Sequence, residues 1–262
     1  MFVEAVYATF VLALTAIFFK SAPPTPPSTS LLQKPQADFV YSITRIWLNS
    51  GFVLLWAGFG LIMGIYELMI TVLNVMVLSQ GYTADDSGLF GALVVISGTI
   101  GSIIVGVIVD QTKKYKVALI SLVSLLVVVF ICLYFTMIPH EKVALCFLFV
   151  VIGFCIVSSY PAFLESCAEV TFPIPEEYSA ALTTIAGNGI GAIGTTITDT
   201  HYFQNNPRQI AFLFLGMAGL SLLFLIFVKP YYKRYQFEKS GYKSIHQKNK
   251  KTSTNEMYRG IQ

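Results

Sequence analysis

Seven stretches of the chain run for about twenty residues almost without charge. They are Phe2 to Phe19, Phe52 to Leu78, Leu89 to Val109, Val117 to Ile138, Val143 to Leu164, Ala180 to Thr198 and Ile210 to Val228. Each is long enough to cross a hydrocarbon core of about 30 Å as an α-helix, which rises about 1.5 Å per residue. The second has length to spare and is expected to tilt or to run past the bilayer. The pattern predicts an all-α membrane protein with seven transmembrane helices.

The polar breaks between the spans are unequal. Residues 21–51 contain the run PPTPPS, which cannot be helical because proline lacks an amide donor and restricts the residue before it. This segment reads as a cytoplasmic Pro-rich linker that separates the first helix, residues 1–20, from the other six. Residues 52–228 form one contiguous six-helix bundle joined by short loops such as GYTADDSG and PHEK. From 229 to 262 the chain turns polar and basic, and a disordered cytoplasmic tail is expected.

Composition agrees with a multi-pass integral membrane protein. Of the 262 residues, 55% are apolar and 12% charged, against about 25% charged in a soluble domain. With the N-terminus outside, the inner segments Lys20 to Gly51, Asp110 to Lys116 and the tail from Lys229 hold three, three and nine Lys or Arg. The outer loops hold only Lys142 and Arg208. That asymmetry is a strong positive-inside signal, so the net charge of +3 reports topology and no nucleic-acid partner is needed. The first span has no basic n-region, carries Glu4 and is followed by Lys20 and prolines, so it reads as a retained helix. Cys132, Cys146, Cys155 and Cys167 lie in spans or at their inner ends, fit helix packing and outline no disulfide framework.

Small residues mark expected contact faces. Gly60 and Gly64, then Gly98, Ser102 and Gly106, then Gly187 and Gly191 recur at four-residue spacing, which lets helix backbones approach closely in lipid. One helix, a proline linker and six more helices make sense as the end of one six-helix bundle followed by a complete second one. Transporters of the major facilitator type are built from two such halves, each nested as three plus three helices.

Charge concentrates at two inner positions. Gly106 to Lys116 reads GVIVDQTKKYK and is similar to the major facilitator loop signature at Gly106, Asp110 and the basic Lys114, departing at Gln111 and Lys113. An acid at a helix C-terminus opposes the helix dipole, so Asp110 is expected to have a cationic or helix-N-terminal partner. Glu165 and Glu169, four residues apart on one helical face, end the fifth span on the same side of the membrane as Lys113, Lys114 and Lys116. Opposite charges there form a gating latch in one reading and a static structural pair in another. Catalysis lacks partners: no histidine lies in a span, and His140, His201 and His246 fall in loops and the tail. A metal site would need further ligands at suitable spacing. Catalytic residues, metal and cofactor are therefore all read as none, and the chain as no enzyme.

The string YPAFLESCAEVTFPIPEEYSAAL resembles the haem and choline transporter family named after the feline leukaemia virus subgroup C receptor, with its disrupted-in-renal-carcinoma relatives. The matching positions are Pro161, Glu165, Glu169, Phe172, Pro173, Pro175 and Glu176. PPTPPS, the series Gly60, Gly64, Thr71 and Asn74, and GSIIVGVIVDQTKKYK match as well. The resemblance runs from Met1 to about Arg234 and implies the last helix of an N-terminal half plus a whole C-terminal half. It implies transport of a small organic solute by alternating access: haem, a choline-like amine or a vitamin-like amine.

Glu67 lies mid-helix in the second span beside Tyr66. Ionisable groups inside a span are costly and usually functional; facing a cavity, Glu67 attracts a cation and Tyr66 adds a cation–π contact, whereas facing a neighbour Glu67 is structural. The resemblance places Glu67 where the family has a caging aromatic, with Tyr66 one step away, and Asn188 where it has a polar amide in the substrate path. Asn74 is the next substrate-binding candidate. Expected partners are membrane lipids, the small solute, and a complementary N-terminal half or a second copy. The membrane is read as plasma or endolysosomal, and the run Tyr242 to Ile245 looks like a tyrosine-based sorting signal. Two other classes stay open: a seven-span receptor, which lacks Asp-Arg-Tyr at Asp110-Gln111-Thr112 and Asn-Pro-x-x-Tyr in the last span, and a truncated, non-transporting membrane partner.

Overall fold

The computed structural model describes residues 2–19, 38–136, 141–199 and 207–229. The PPTPPS run, the tail beyond Lys229 with its Tyr242 to Ile245 run, and all three histidines lie outside the described residues. The chain divides into two units, residues 1–35 with 238–262, and residues 36–237.

In the first unit, α1 (Phe2–Phe18) is a 17-residue apolar helix. Its two threonines turn their hydroxyls back on the helix, Thr9 to the carbonyl of Ala5 and Thr15 to that of Val11, each at 2.8 Å. Satisfying polar groups within the helix is what a hydrocarbon environment requires.

The second unit holds α2 (Phe39–Trp47), α3 (Ser50–Leu78), α4 (Ala84–Thr112), α5 (Tyr115–Thr136), α6 (Lys142–Thr171), α7 (Glu176–Thr198) and α8 (Pro207–Phe227). Five of these, α3, α4, α5, α6 and α8, are long and apolar enough to cross a membrane. Helix α7 has the length but is rich in Thr and Gly. Its polarity is largely internal: Thr183, Thr184, Thr195, Thr196 and Thr198 each donate to a carbonyl one turn earlier at 2.9 to 3.0 Å.

Local chemistry sets the helix ends. Asn49 caps α3 by accepting from the Gly51 amide at 3.1 Å, and its own amide donates to the Val170 carbonyl at 3.0 Å, tying the start of α3 to the end of α6. Thr83 and Asp86 form a reciprocal capping box, so α4 begins at Ala84, inside the expected GYTADDSG loop. Helix α6 continues past the expected end at Leu164 to Thr171, and Glu165 and Glu169 therefore sit in its last turns. Pro173 and Pro175 separate it from α7, whose first turn carries Glu176 and Glu177, where negative charge suits the dipole. Helix α2 lies within the segment read as linker.

The six long helices pack in a repeated pattern. Trp56 Nε1 donates to the Leu182 carbonyl at 2.9 Å, Gly64 meets Ile190 and Gly194 meets Leu68, so α3 and α7 run parallel. Gly98 meets Val157 and Gly101 meets Ser158, so α4 and α6 run parallel too. Asn49 at Val170 and Phe59 against Phe163, 5.4 Å between ring centroids, together make α3 and α6 antiparallel. Ser221 Oγ donates to the Gly58 carbonyl at 2.9 Å, joining α8 to α3. Exchanging α3, α4, α5 for α6, α7, α8 maps the principal contacts onto one another: α4 with α6 onto α7 with α3, and α5 with α6 onto α8 with α3. Two inverted three-helix units are the design of major facilitator halves.

Outward-facing side chains on the spans are mostly apolar, as with Val95, Ile96, Ile100, Ile103, Ile104, Val107 and Ile108 on α4. Lipid tails are as apolar as these side chains, so burial does not drive the assembly; close packing and internal hydrogen bonds must.

Candidate functional site

The α3/α7 seam is the first place to look. Gly60 and Gly64 on α3 receive Ala186 and Ile190, while Gly187 and Gly191 on α7 receive Met63 and Glu67. A Cβ at Gly191 would stand 2.7 Å from the Glu67 Cβ, so glycine at 191 lets the acidic side chain pack its stem against the α7 backbone. The Glu67 residue is nevertheless exposed, and among the described residues its carboxylate has no ion pair. It stands at the rim where the seam opens. Asn188, exposed beside Gly187 and one turn before Gly191, shares that rim by helical periodicity. Asn74, also exposed, lies two turns further along α3, about 10 Å from Glu67 at 1.5 Å per residue. Tyr66 is half-buried and packs against the core. Glu67 and Asn188 thus lie on the same side of the seam, Asn74 lies farther along, and part of the Tyr66 ring is committed to packing.

The second candidate is the basic end of the bundle. Asp110 has the cationic partner expected of it: Lys113 Nζ lies 3.3 Å from its carboxylate. Lys113 caps α4 in the left-handed region, φ 53°, the conformation that usually selects glycine, and glycine is the usual residue here in the signature. Burial opposes the Lys113 charge, but Tyr115 and Asp110 outweigh it and hold the ammonium above its ordinary range. Lys114 is exposed. Lys116 is used elsewhere: its ammonium donates to the carbonyls of Ile226 and Val228 at 2.9 and 2.7 Å, capping the C-terminus of α8.

Glu165 and Glu169 face different spaces. Glu165 is exposed and lines, with Asp110, Gly106 and Pro161, a cavity of about 100 Å³ between α4 and α6. Glu169 is only 5% exposed. It faces a smaller space of about 20 Å³ shared with Tyr115, Lys116 and Ser166, room for one water. A 100° step per residue explains the split, because positions four apart are rotated by about 40° and straddle the edge of the packed face.

Three features were missed by sequence reasoning. Lys142 at the start of α6 pairs with Asp86 at the start of α4, at the end opposite the basic cluster. The T-x-x-D spacing of Thr83 and Asp86 signalled the cap, but nothing local signals a partner far along the chain. Gly101, not Ser102 or Gly106, is the contact glycine after Gly98: a Cβ at Gly106 would meet nothing within 4 Å. The third is α2. No group of three or more His, Cys, Asp or Glu suited to a metal occurs among the described residues.

The Major Facilitator Superfamily model matches residues 1–198. The chain is 32% identical over 236 residues to the Choline/ethanolamine transporter FLVCR1 of Mus terricolor, covering 84% of this chain and 41% of that protein. It is 31% identical over 224 residues to the Choline/ethanolamine transporter FLVCR2 of Homo sapiens, covering 80% of this chain and 42% of that one. It is also 31% identical over 190 residues to the Solute carrier family 49 member A3 of Xenopus tropicalis, covering 71% and 39%. The chain spans less than half the length of these relatives.

Proposed function

The chain belongs to the Major Facilitator Superfamily, and on that premise we propose that it supplies the last helix of an N-terminal half and the whole C-terminal half of a solute transporter. In this reading α1 and α7 span the membrane as the other five long helices do, giving seven spans, six of them in one half-bundle. Helix α1, at 17 residues, reaches the short end of the spanning range. The basic end of the bundle faces the cytoplasm.

The solute is a small organic cation of the choline or ethanolamine kind, moved by alternating access; haem and vitamin-like amines are the alternative solutes. The observation that carries this is Glu67: an exposed carboxylate in a long apolar helix, with Asn188 across the seam. A desolvated cation is attracted by the carboxylate, and the face of the half-buried Tyr66 ring adds a cation–π contact. The partner that completes the cavity is an N-terminal half or a second copy. The test is uptake of labelled choline and ethanolamine into vesicles holding this chain alone or together with the N-terminal half of a relative. Uptake only with both halves supports an N-terminal half as the partner; robust uptake by the chain alone supports a second copy instead, and no uptake or binding in either preparation contradicts the solute.

At the cytoplasmic end, the proposed latch sets Lys113 and Lys114 against Asp110, Glu165 and Glu169. Lys114→Glu should impair uptake, and Glu165→Lys or Glu169→Lys should partly restore it. The exposed Glu165 should restore more than the buried Glu169; no rescue by either means the charges are static. A membrane partner without transport is the second reading, favoured by the short coverage of the relatives. It requires that neither preparation move solute while the chain still assembles with another membrane protein.

A further inference from the structure

Charge at the basic end of the bundle is sorted by helix. The acids Glu165, Glu169, Glu176 and Glu177 lie on α6 and α7, and α7 packs on α3 and α6. Helices α5 and α8 pack on each other and bring lysines instead: Lys114 just before α5, Lys116 in its first turn and Lys229 two residues past the end of α8. Asp110, near the end of α4, is already held by Lys113. Among the described residues neither Lys114 nor Lys229 makes an ion pair, and both are exposed.

Lys116 fixes this corner. Its ammonium donates to the carbonyls of Ile226 and Val228, which seats the start of α5 against the end of α8. An ammonium has three N–H groups, so one remains to donate. Lys229 lines the same small space as Lys116, and the acid there, Glu169, is buried along with Tyr115. The exposed neighbours at this level are apolar: Val117 beside Lys116 is 63% exposed, and Ile226 and Phe227 at the end of α8 are 50% and 69% exposed. Unpaired cations above an uncovered apolar wall complement a molecule that carries a negative headgroup above apolar tails. Basic pockets between helices at the cytoplasmic face of a membrane bind anionic lipid headgroups in this way.

We propose that Lys114, Lys116 and Lys229 form a binding site for the phosphate headgroup of an anionic phospholipid, whose acyl chains lie against Val117, Ile226 and Phe227. The carbonyl-bound Lys116 is the fixed point of the site, and the two exposed lysines close on the phosphate. Lys114 is common to this site and the proposed latch, so a bound headgroup competes with the α6 acids for it. The leaflet is the cytoplasmic one by the orientation proposed above, but the binding does not depend on it.

The full chain is purified in detergent with equal amounts of phosphatidylserine and phosphatidylcholine, and native mass spectrometry counts the lipids it retains. Phosphatidylserine should be retained in excess, and Lys114→Gln combined with Lys229→Gln should cut that excess by about fivefold per lysine removed. Lys116 is left intact because it also caps α8. Lys142→Gln, at the opposite end of the bundle, controls for net charge and should leave the excess unchanged. Inorganic phosphate added in excess should displace none of the bound lipid. Equal retention of the two lipids, an unchanged preference in the double variant, or an equal loss in Lys142→Gln overturns the site. Displacement by inorganic phosphate assigns it to a free anion and overturns the lipid. Retention in micelles is read whichever way the chain faces, so these outcomes are separate from its orientation and from transport.

Discussion

The two parallel seams use the same device with different partners. In the α4/α6 seam Gly153 meets main chain, since a Cβ there would lie 2.3 Å from the Val94 carbonyl oxygen, while Gly98 and Gly101 meet chiefly the side chains of Val157, Ser158 and Phe154. In the α3/α7 seam the close contacts are side chains, Ile190 at Gly64, Met63 at Gly187 and Glu67 at Gly191. Backbone against backbone cannot yield without moving a helix, and the Cβ atoms of Met63 and Glu67 are fixed in the same way, whereas the Ile190 branch at Gly64 can change rotamer. The least yielding contact is therefore at Gly153 in the α4/α6 seam, and the most yielding is at Gly64 in the α3/α7 seam. The ends differ as well. The α4/α6 pair is pinned at one end by Lys142 and Asp86, while the α3/α7 rim leaves Glu67 and Asn188 exposed.

That contrast can be broken at single positions. Gly153→Ala should be the most damaging, destabilising the bundle by roughly 1–3 kcal/mol because the new methyl meets main chain. Gly64→Ala should cost about 1 kcal/mol, since Ile190 can turn away. Gly106→Ala, with open space in front of it, should be neutral or stabilising by up to about 1 kcal/mol as an Ala-for-Gly change in a helix. Denaturant unfolding in one detergent measures all three; equal losses at Gly153 and Gly64 would erase the distinction between the seams. A smaller effect is expected at the pinned end. Lys142→Glu or Asp86→Lys alone should lower the unfolding midpoint slightly, and the double exchange should recover it; surface pairs contribute little, and a double variant no better than either single one would leave the pin without effect.

Much of this fold was legible in the sequence because lipid solvation writes its demand into long apolar runs. The runs Phe52 to Leu78 and Ile210 to Val228 became helices with ends within a few residues of those expected. Helix α2 was not legible: nine residues inside a proline-rich segment are too few for an apolar run, and only their periodicity distinguishes them. The continuation of α6 through Glu165 and Glu169 was hidden because charges normally end a span, whereas here one faces a cavity and the other a buried water-sized space. For the candidate site, position along the axis was readable and azimuth was not. Glu67 and Asn188 were identifiable from residue type, but that they share a rim follows only from how Gly187 and Gly191 pack on Met63 and Glu67. The four-residue rule selected Gly98 correctly and failed at Gly106, since α4 turns its Gly101 to α6 instead.

The central claim is that the α3/α7 rim receives an organic cation through the Glu67 carboxylate. It is tested most directly by calorimetric binding of choline and of a neutral isostere of the same shape to the chain assembled with its complementary half, as Glu67 and as Glu67→Gln. The account predicts that Glu67→Gln weakens choline by about tenfold, equivalent to about 1.4 kcal/mol, and leaves the neutral compound nearly unchanged. Equal weakening of both, or no change in either, would contradict it and make Glu67 a structural residue of the seam.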